Sequence, residues 1–380
     1  MSAPTIDHIR ENEFPVLQNY LPLNHAGVAP VCMRASVANA QMGSKLARNG
    51  FAGYDAYMEQ LAKVRALCGW FIGAQAEEIA FVRNTSHGLS LVAAGLDWKS
   101  GDNVVTTDAE FPANMYPWLN LKDRGVEVRT VSAKGRAPSL EEFAAVVDER
   151  TRVLAISHVE FSTGCRFDIK ALADLVHSKG GYLCVDAIQS LGVIPVDVTR
   201  EGIDFLSADG HKWMCSFEGT GFFYCKRELL GRIRPSHLGW NSVKSQFDFD
   251  HYDLSFPDHA RKFEEGSLPL PLIFALGKAL ELLIEVGMDE VHRRAMGAAA
   301  ALRAGLSERG LKDLTVLGPG GPTPVVIVGG EFDLAAATAA LTEKGVQHAP
   351  RGGGLRLSPH HYNNVHDAER FWALFDEVVR

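Results

Sequence analysis

Between residues 78 and 225 short β-branched runs alternate with helical patterns, and no other feature of the chain constrains its fold so tightly. The runs EEIAFVR, NVVTT, VEVRTVS, RVLAISHVE, YLCVDAI, DFLSAD and GTGFFYC read as strands. Several are separated by SHGLSLVAAGLDW, SLEEFAAVVDER and DIKALADLVHSKG, which repeat apolar residues at helical spacing. Strand–helix–strand order favours parallel crossovers, so the predicted class is α/β: a mainly parallel sheet covered by helices on both faces. In such sheets ligands bind beyond the carboxyl ends of the strands. Polar residues just after each run are therefore the candidates for function.

At 380 residues the chain is too long for one compact core and predicts two lobes. Residues 226 to 266 look irregular; long helices follow over Leu272–Val286 and Met288–Glu308. VVIVGG, DLAAATAALTEKG, GLRLS and a closing helix then suggest a smaller α+β lobe. The predicted division is a large domain over 21–268 and a small one made of 1–20 and 269–380. A net charge of -8 argues against a nucleic-acid partner, whose phosphates select basic faces. The most apolar helical run, Leu270 to Val286, contains Lys278, Glu281 and Glu285, so no membrane span is expected. The N-terminus lacks an apolar leader, which predicts a cytoplasmic protein. The six cysteines are scattered without a metal or CxxC spacing and read as reduced, mostly buried thiols.

GxGxxG, Walker A, HExxH and GxSxG signatures are absent, which argues against a dinucleotide or ATP enzyme. Three other segments carry chemistry. Asn84-Thr85-Ser86-His87-Gly88 follows a strand and opens a helix, where free amides and hydroxyls suit a phosphate; an ordinary N-cap reads the same. Asp186 ends the buried run YLCVD, and a buried carboxylate needs a partner such as a protonated pyridine nitrogen; a turn-capping aspartate is the alternative. Lys212, flanked by His211 and Trp213 after DFLSADG, suits a desolvated Schiff-base amine as well as a surface charge.

Taken together, the phosphate loop, strand-end Asp and strand-end Lys resemble fold type I pyridoxal-phosphate enzymes. More narrowly they resemble the aminotransferase class V family, in the branch holding cysteine desulfurases, isopenicillin N epimerase-like proteins and C–S lyases. The likeness runs from about Leu23 to Asn364 through LNHAGVAP, RNTSHG, DAEFPANMYPW, VDAIQSLG, DGHKW, ARKFEEGS and RLSPHHYNN. It implies pyridoxal 5′-phosphate as cofactor, held covalently by Lys212, with Asp186 on the ring nitrogen and Gln189 on the ring hydroxyl. Thr85, Ser86 and His211 would hold the phosphate, with His87 and Asp209 in the same cofactor-binding set and Phe111 on the ring face. Ser267 matches a hydroxyl that reaches the phosphate of the neighbouring subunit, which implies a homodimer with shared active sites. Arg356 matches the arginine that grips the α-carboxylate of an amino-acid substrate, with Arg351, Asn24 and His25 also expected at the substrate mouth.

Three departures mark a branch distinct from the desulfurases. Their nucleophilic cysteine has no counterpart in Arg351-Gly352-Gly353-Gly354-Leu355. Phe161 in HVEF stands where an Asn bonds the ring hydroxyl, and Asp209 replaces a phosphate-binding Ser. A β-eliminating C–S lyase is therefore the leading expectation. Class V aminotransferase and racemase, epimerase or decarboxylase readings come next, then a non-enzymatic protein of the same fold.

Overall fold

The computed structural model describes residues 5–379. After the helix Ile6–Glu13 and the two-residue strand β1 (Leu21–Pro22) come helices Met33–Asn49 and Tyr54–Phe71. Seven strands follow: β2 (Ile79–Val82), β3 (Asn103–Thr107), β4 (Glu127–Val131), β5 (Thr151–Ser157), β6 (Tyr182–Asp186), β7 (Phe205–Asp209) and β8 (Gly221–Cys225). They form one sheet in the order β2-β8-β7-β6-β5-β3-β4. All neighbours run parallel except β8, which is antiparallel to both β2 and β7. The predicted α/β architecture is the observed one.

Because side chains alternate along a strand, the buried runs feed two cores. Phe81, Leu154, Ile156, Leu183, Val185 and Leu206 enter one, and Ala80, Val82, Val153, Ala155, Cys184 and Phe205 the other. Helices Tyr54–Phe71 and Ile169–Ser178 cover the first; helix Thr85–Gly95 covers the second through Leu89, Leu91 and Val92. Gly88 makes that close approach possible, since a Cβ there would lie 2.2 Å from the Ser207 hydroxyl on β7.

The stretch SLEEFAAVVDER forms only a short helix, Leu140–Ala144, opened by a capping box of Ser139 and Glu142. It stops because Asp148 accepts from the Arg150 amide, Asn103 and Arg129, tying the segment to β3 and β4.

The C-terminal part contains helices Leu270–Val286, Met288–Glu308, Leu334–Glu343 and Val365–Val379. Its strands are β9 (Lys312–Asp313), β10 (Val326–Gly329), β11 (Val346–Gln347), β12 (Ala349–Arg351) and β13 (Gly354–Leu357). A four-stranded sheet runs β12-β13-β10-β9, and β1 pairs in parallel with β11. At both boundaries of the predicted division the cores join elements across it. Helix Leu270–Val286 buries Ile273, Leu276, Leu280 and Leu283 in the same core as the large sheet. Leu21 and Leu23 instead join Val326, Leu355 and Phe371 in the core of the small lobe. Apolar continuity, not the change in sequence texture at 268, sets which lobe each element joins. Among the described residues no helix is long and apolar enough to cross a membrane.

Candidate active site

Parallel strands align their carboxyl ends, and the last residues of β5, β6 and β7 are Ser157, Asp186 and Asp209. Asp186 is 1% exposed. Its Oδ1 accepts from the Ile188 amide at 3.0 Å, whereas Oδ2 has no hydrogen-bond partner among the described residues. Burial pushes its pKa up to about 6, against the opposing pull of the Ile188 amide and of Lys212. Lys212, three residues past β7, is held down to about 8 by burial, with Asp186 opposing and the Arg356 charge adding to the shift. Its ammonium lies 5.8 Å from the ring centroid of Phe111. Phe111 is 45% exposed and meets Phe161 edge-on at 5.2 Å, so an apolar ring stands free over the lysine.

Helix Thr85–Gly95 points its N-terminus at this edge, with Asn84 as N-cap accepting from the His87 amide at 2.9 Å. Thr85 Oγ1 accepts from the Asp209 amide at 3.1 Å, which locks the helix start to the end of β7. The Thr85 and Ser86 amides lie in the first turn, where no intrahelical acceptor reaches them. Ser86 is exposed. Asp209 turns one oxygen to within 3.1 Å of His211 Nδ1, although the pair is not aligned as a hydrogen bond. Gln189 is largely committed: Oε1 accepts from the Trp213 indole at 3.0 Å and Nε2 donates to the Ala26 carbonyl at 2.8 Å. One amide hydrogen of Gln189 is left over.

Arg356 on β13 is 3% exposed and points away from Leu355 and Leu357, which enter the small-lobe core. It donates to the Phe161 carbonyl and, at 3.4 Å, to Asn24 Oδ1, while its Nε has no hydrogen-bond partner among the described residues. Among those residues no carboxylate pairs with it, and burial holds its pKa down to about 10. Arg351 sits exposed at the hairpin rim, donating to the Pro350 carbonyl.

Three expected residues, His25, Ser267 and His87, have other surroundings. His25 is 0% exposed, its Nδ1 bonded to the Ser358 carbonyl at 2.8 Å and its Nε2 to the Tyr362 hydroxyl at 2.7 Å. Both of its ring nitrogens are therefore committed inside the wall. Ser267 is exposed and shares with His87 a cavity of about 560 Å³ that neither Lys212 nor Asp186 lines. His87 is buried there, held down to about 4 by burial. The FEEGS segment before Ser267 is fixed by a buried Arg65–Glu264 pair, in which Glu264 also accepts from the Phe81 amide at 2.8 Å.

Residues not anticipated also gather at this edge. Glu110 and Glu160 follow β3 and β5 by three residues each, the same strand-end placement that singles out Asp186, and both are buried. Trp213 fastens Gln189. All six cysteines are buried.

The chain matches the aminotransferase class V family over residues 36–347. A probable cysteine desulfurase of Methanothermobacter thermautotrophicus is 32% identical over 300 residues, covering 78% of this chain and 74% of the relative. An uncharacterized aminotransferase of Bacillus subtilis, YcbU, is 30% identical over 366 residues, covering 96% and 95%. A solved apo cysteine desulfurase of Thermococcus onnurineus NA1 has the same fold, with a TM-score of 0.89 over 100% of this chain and 99% of that one at 22% identity.

Proposed function

The chain belongs to the class V aminotransferase family of pyridoxal-phosphate-dependent enzymes, and from this premise we propose that it is a desulfurase-like C–S lyase. It eliminates the β-substituent of a cysteine-type amino acid without forming a protein-bound persulfide. What supports the fit to the cofactor is the buried, unpartnered Asp186 Oδ2, which suits a cationic ring N–H. The Thr85 hydroxyl, the first-turn amides of Thr85 and Ser86, and His211 would hold the phosphate. The remaining Gln189 amide hydrogen would serve the ring hydroxyl, and Phe111 would cover the ring face. When bound, the cofactor supplies an electron sink for the electrons left as an amino acid loses its α-proton.

Lys212 is the base for that proton. A pKa near 8 leaves a useful neutral fraction close to neutrality, which a fully solvated lysine lacks. Arg356 offers a planar fork with no internal carboxylate to satisfy it, which suits the substrate α-carboxylate. Replacing Arg356 with lysine keeps the charge but removes the fork, so apparent affinity for the amino acid should weaken by about 1–3 kcal/mol. Steady-state kinetics check this, and unchanged KM in the variant would move the role to Arg351.

One observation carries the persulfide-free reading. β12 and β13 are joined by a two-residue turn, with Arg351 paired to Gly354 and Gly352 and Gly353 at φ 63° and 80°. A Cβ on Gly352 would come within 2.3 Å of the Ser162 carbonyl, so a cysteine has no place there. Cys215 is packed away, its thiol pushed well above the ordinary range by burial. With L-cysteine and no amino acceptor, the expected products are pyruvate, ammonia and sulfide, with a free small-molecule persulfide in place of sulfide when L-cystine is the substrate, and the activity survives Cys215→Ser. Keto-acid formation that requires an amino acceptor and releases no thiol would replace this reading with an aminotransferase.

A homodimer follows from the same reading, because exposed Ser267 would serve the phosphate of a second copy. The exposed Phe247, Phe249 and Tyr252 nearby in the sequence supply apolar area for such an interface. Sedimentation should give a dimer at assay concentration; a fully active monomer would contradict it.

A further inference from the structure

We propose that Glu110 and Glu160 share one proton at the carboxyl edge of β3 and β5. The pair, carrying one proton and a single negative charge, then acts as a positioning element beside the ionised Asp186. This rests on the reading of Asp186 as the partner of the ring nitrogen. The three acids stand at the ends of adjacent strands, β3, β5 and β6. Glu110, after β3, binds the end of β5: its oxygens accept from the Ser157 amide at 2.7 Å and the Ser157 hydroxyl at 2.6 Å. Glu160, after β5, binds back to the end of β3, accepting from the Thr107 hydroxyl at 3.1 Å. This crossed anchoring ties each carboxyl to the other's strand end and brings the Glu110 charge to bear on Glu160. Both are enclosed, and the second oxygen of Glu160 has no hydrogen-bond partner among the described residues.

No cation offsets them. Among the described residues neither acid has an ion pair, and the neighbouring charges of Asp108 and Asp186 are of the same sign. Arg166 is turned to His158 Nε2 at 3.2 Å, and burial keeps His158 neutral. The Cys165 thiol, on the loop that closes over Glu160, is raised by burial and further by the Glu160 charge. Lys212 faces Asp186 instead. Two dry carboxylates without a cation do not both ionise, and an unpaired neutral oxygen is far less costly than an unpaired charge. Burial accordingly raises both acids, each reinforced by like charge nearby.

The proton is read by infrared spectroscopy on the full-length protein carrying its cofactor. Wild type should show a protonated-carboxyl carbonyl band at pH 7 that is sensitive to deuterium and bleaches as one proton at higher pH. In Glu160→Gln the remaining Glu110, held by both Ser157 donors and freed of its rival, ionises, so the band should be lost at pH 7. Cofactor content should persist in that variant, while a step in cofactor absorbance above pH 7, present in wild type, disappears; a purely structural role for Glu160 would leave that titration unmoved. Absence of the band in wild type, or a band of unchanged size in Glu160→Gln, would overturn the proposal. If the variant does not fold, the wild-type deuterium titration alone decides. A failed role for Asp186 leaves this band in place, so the two readings fail separately.

Discussion

Lys212→Ala should retain the fold and bind pyridoxal phosphate without a covalent link, while amino-acid turnover falls by at least about 10²–10⁴-fold, the usual contribution of a positioned proton-transfer group. The loss is large because nothing nearby can substitute. His211 is already turned toward Asp209, His25 is sealed in the wall, and Arg356 stays charged at neutral pH. The check is single-turnover kinetics with the purified variant, and a normal rate would remove Lys212 from the mechanism. A small cavity is left, but a lysine whose charged form is disfavoured by burial contributes little to stability, so thermal unfolding should shift only modestly.

Asp186→Ala has the second-largest expected effect. Its Oδ2 is a buried acceptor without a hydrogen-bond partner among the described residues. Removing one member of a buried pair leaves the other charge uncompensated, at about 3–5 kcal/mol. That corresponds to a fall of roughly 10²–10⁴-fold in turnover, with cofactor still bound through Lys212. Absorbance and kinetics measured on the same sample separate the two effects, and full activity in a cofactor-loaded variant would contradict the role. In the cofactor-free protein the sign of the pH dependence is fixed by the raised pKa. Asp186 favours the folded state while protonated, and that contribution is lost as pH rises through about 6. Asp186→Asn should therefore flatten this part of the stability profile.

Much of this was legible in the sequence, and what was not has physical causes. The buried strands announce themselves because parallel strands covered on both faces read as continuous apolar runs, and Asp186 and Lys212 stand out directly after such runs. The pairing of β1 with β11 was hidden, since two-residue strands carry no period and their partners lie more than three hundred residues apart. Helix Leu270–Val286 was visible as a helix, but its placement on the large sheet depends on which apolar face it meets, and only packing decides that. His25 in LNHAG looks like a loop histidine; its burial is decided by Ser358 and Tyr362, far along the chain. Glu110 and Glu160 obey the strand-end rule, yet nothing local distinguishes them from solvated acids until tertiary packing brings them together without a cation. The short Arg351–Leu355 stretch showed no cysteine in the sequence, but its two-residue turn, with Gly352 and Gly353 at positive φ, is visible only in the structure.

The central claim is that Lys212 holds the cofactor covalently at the carboxyl edge of the sheet. Borohydride reduction of the purified yellow protein, followed by proteolysis and mass mapping, tests it most directly. One phosphopyridoxyl group per chain is expected, on the peptide containing Asp209-Gly210-His211-Lys212-Trp213. A label on any other lysine, or none on a protein that nevertheless binds the cofactor and turns over substrate, would contradict it.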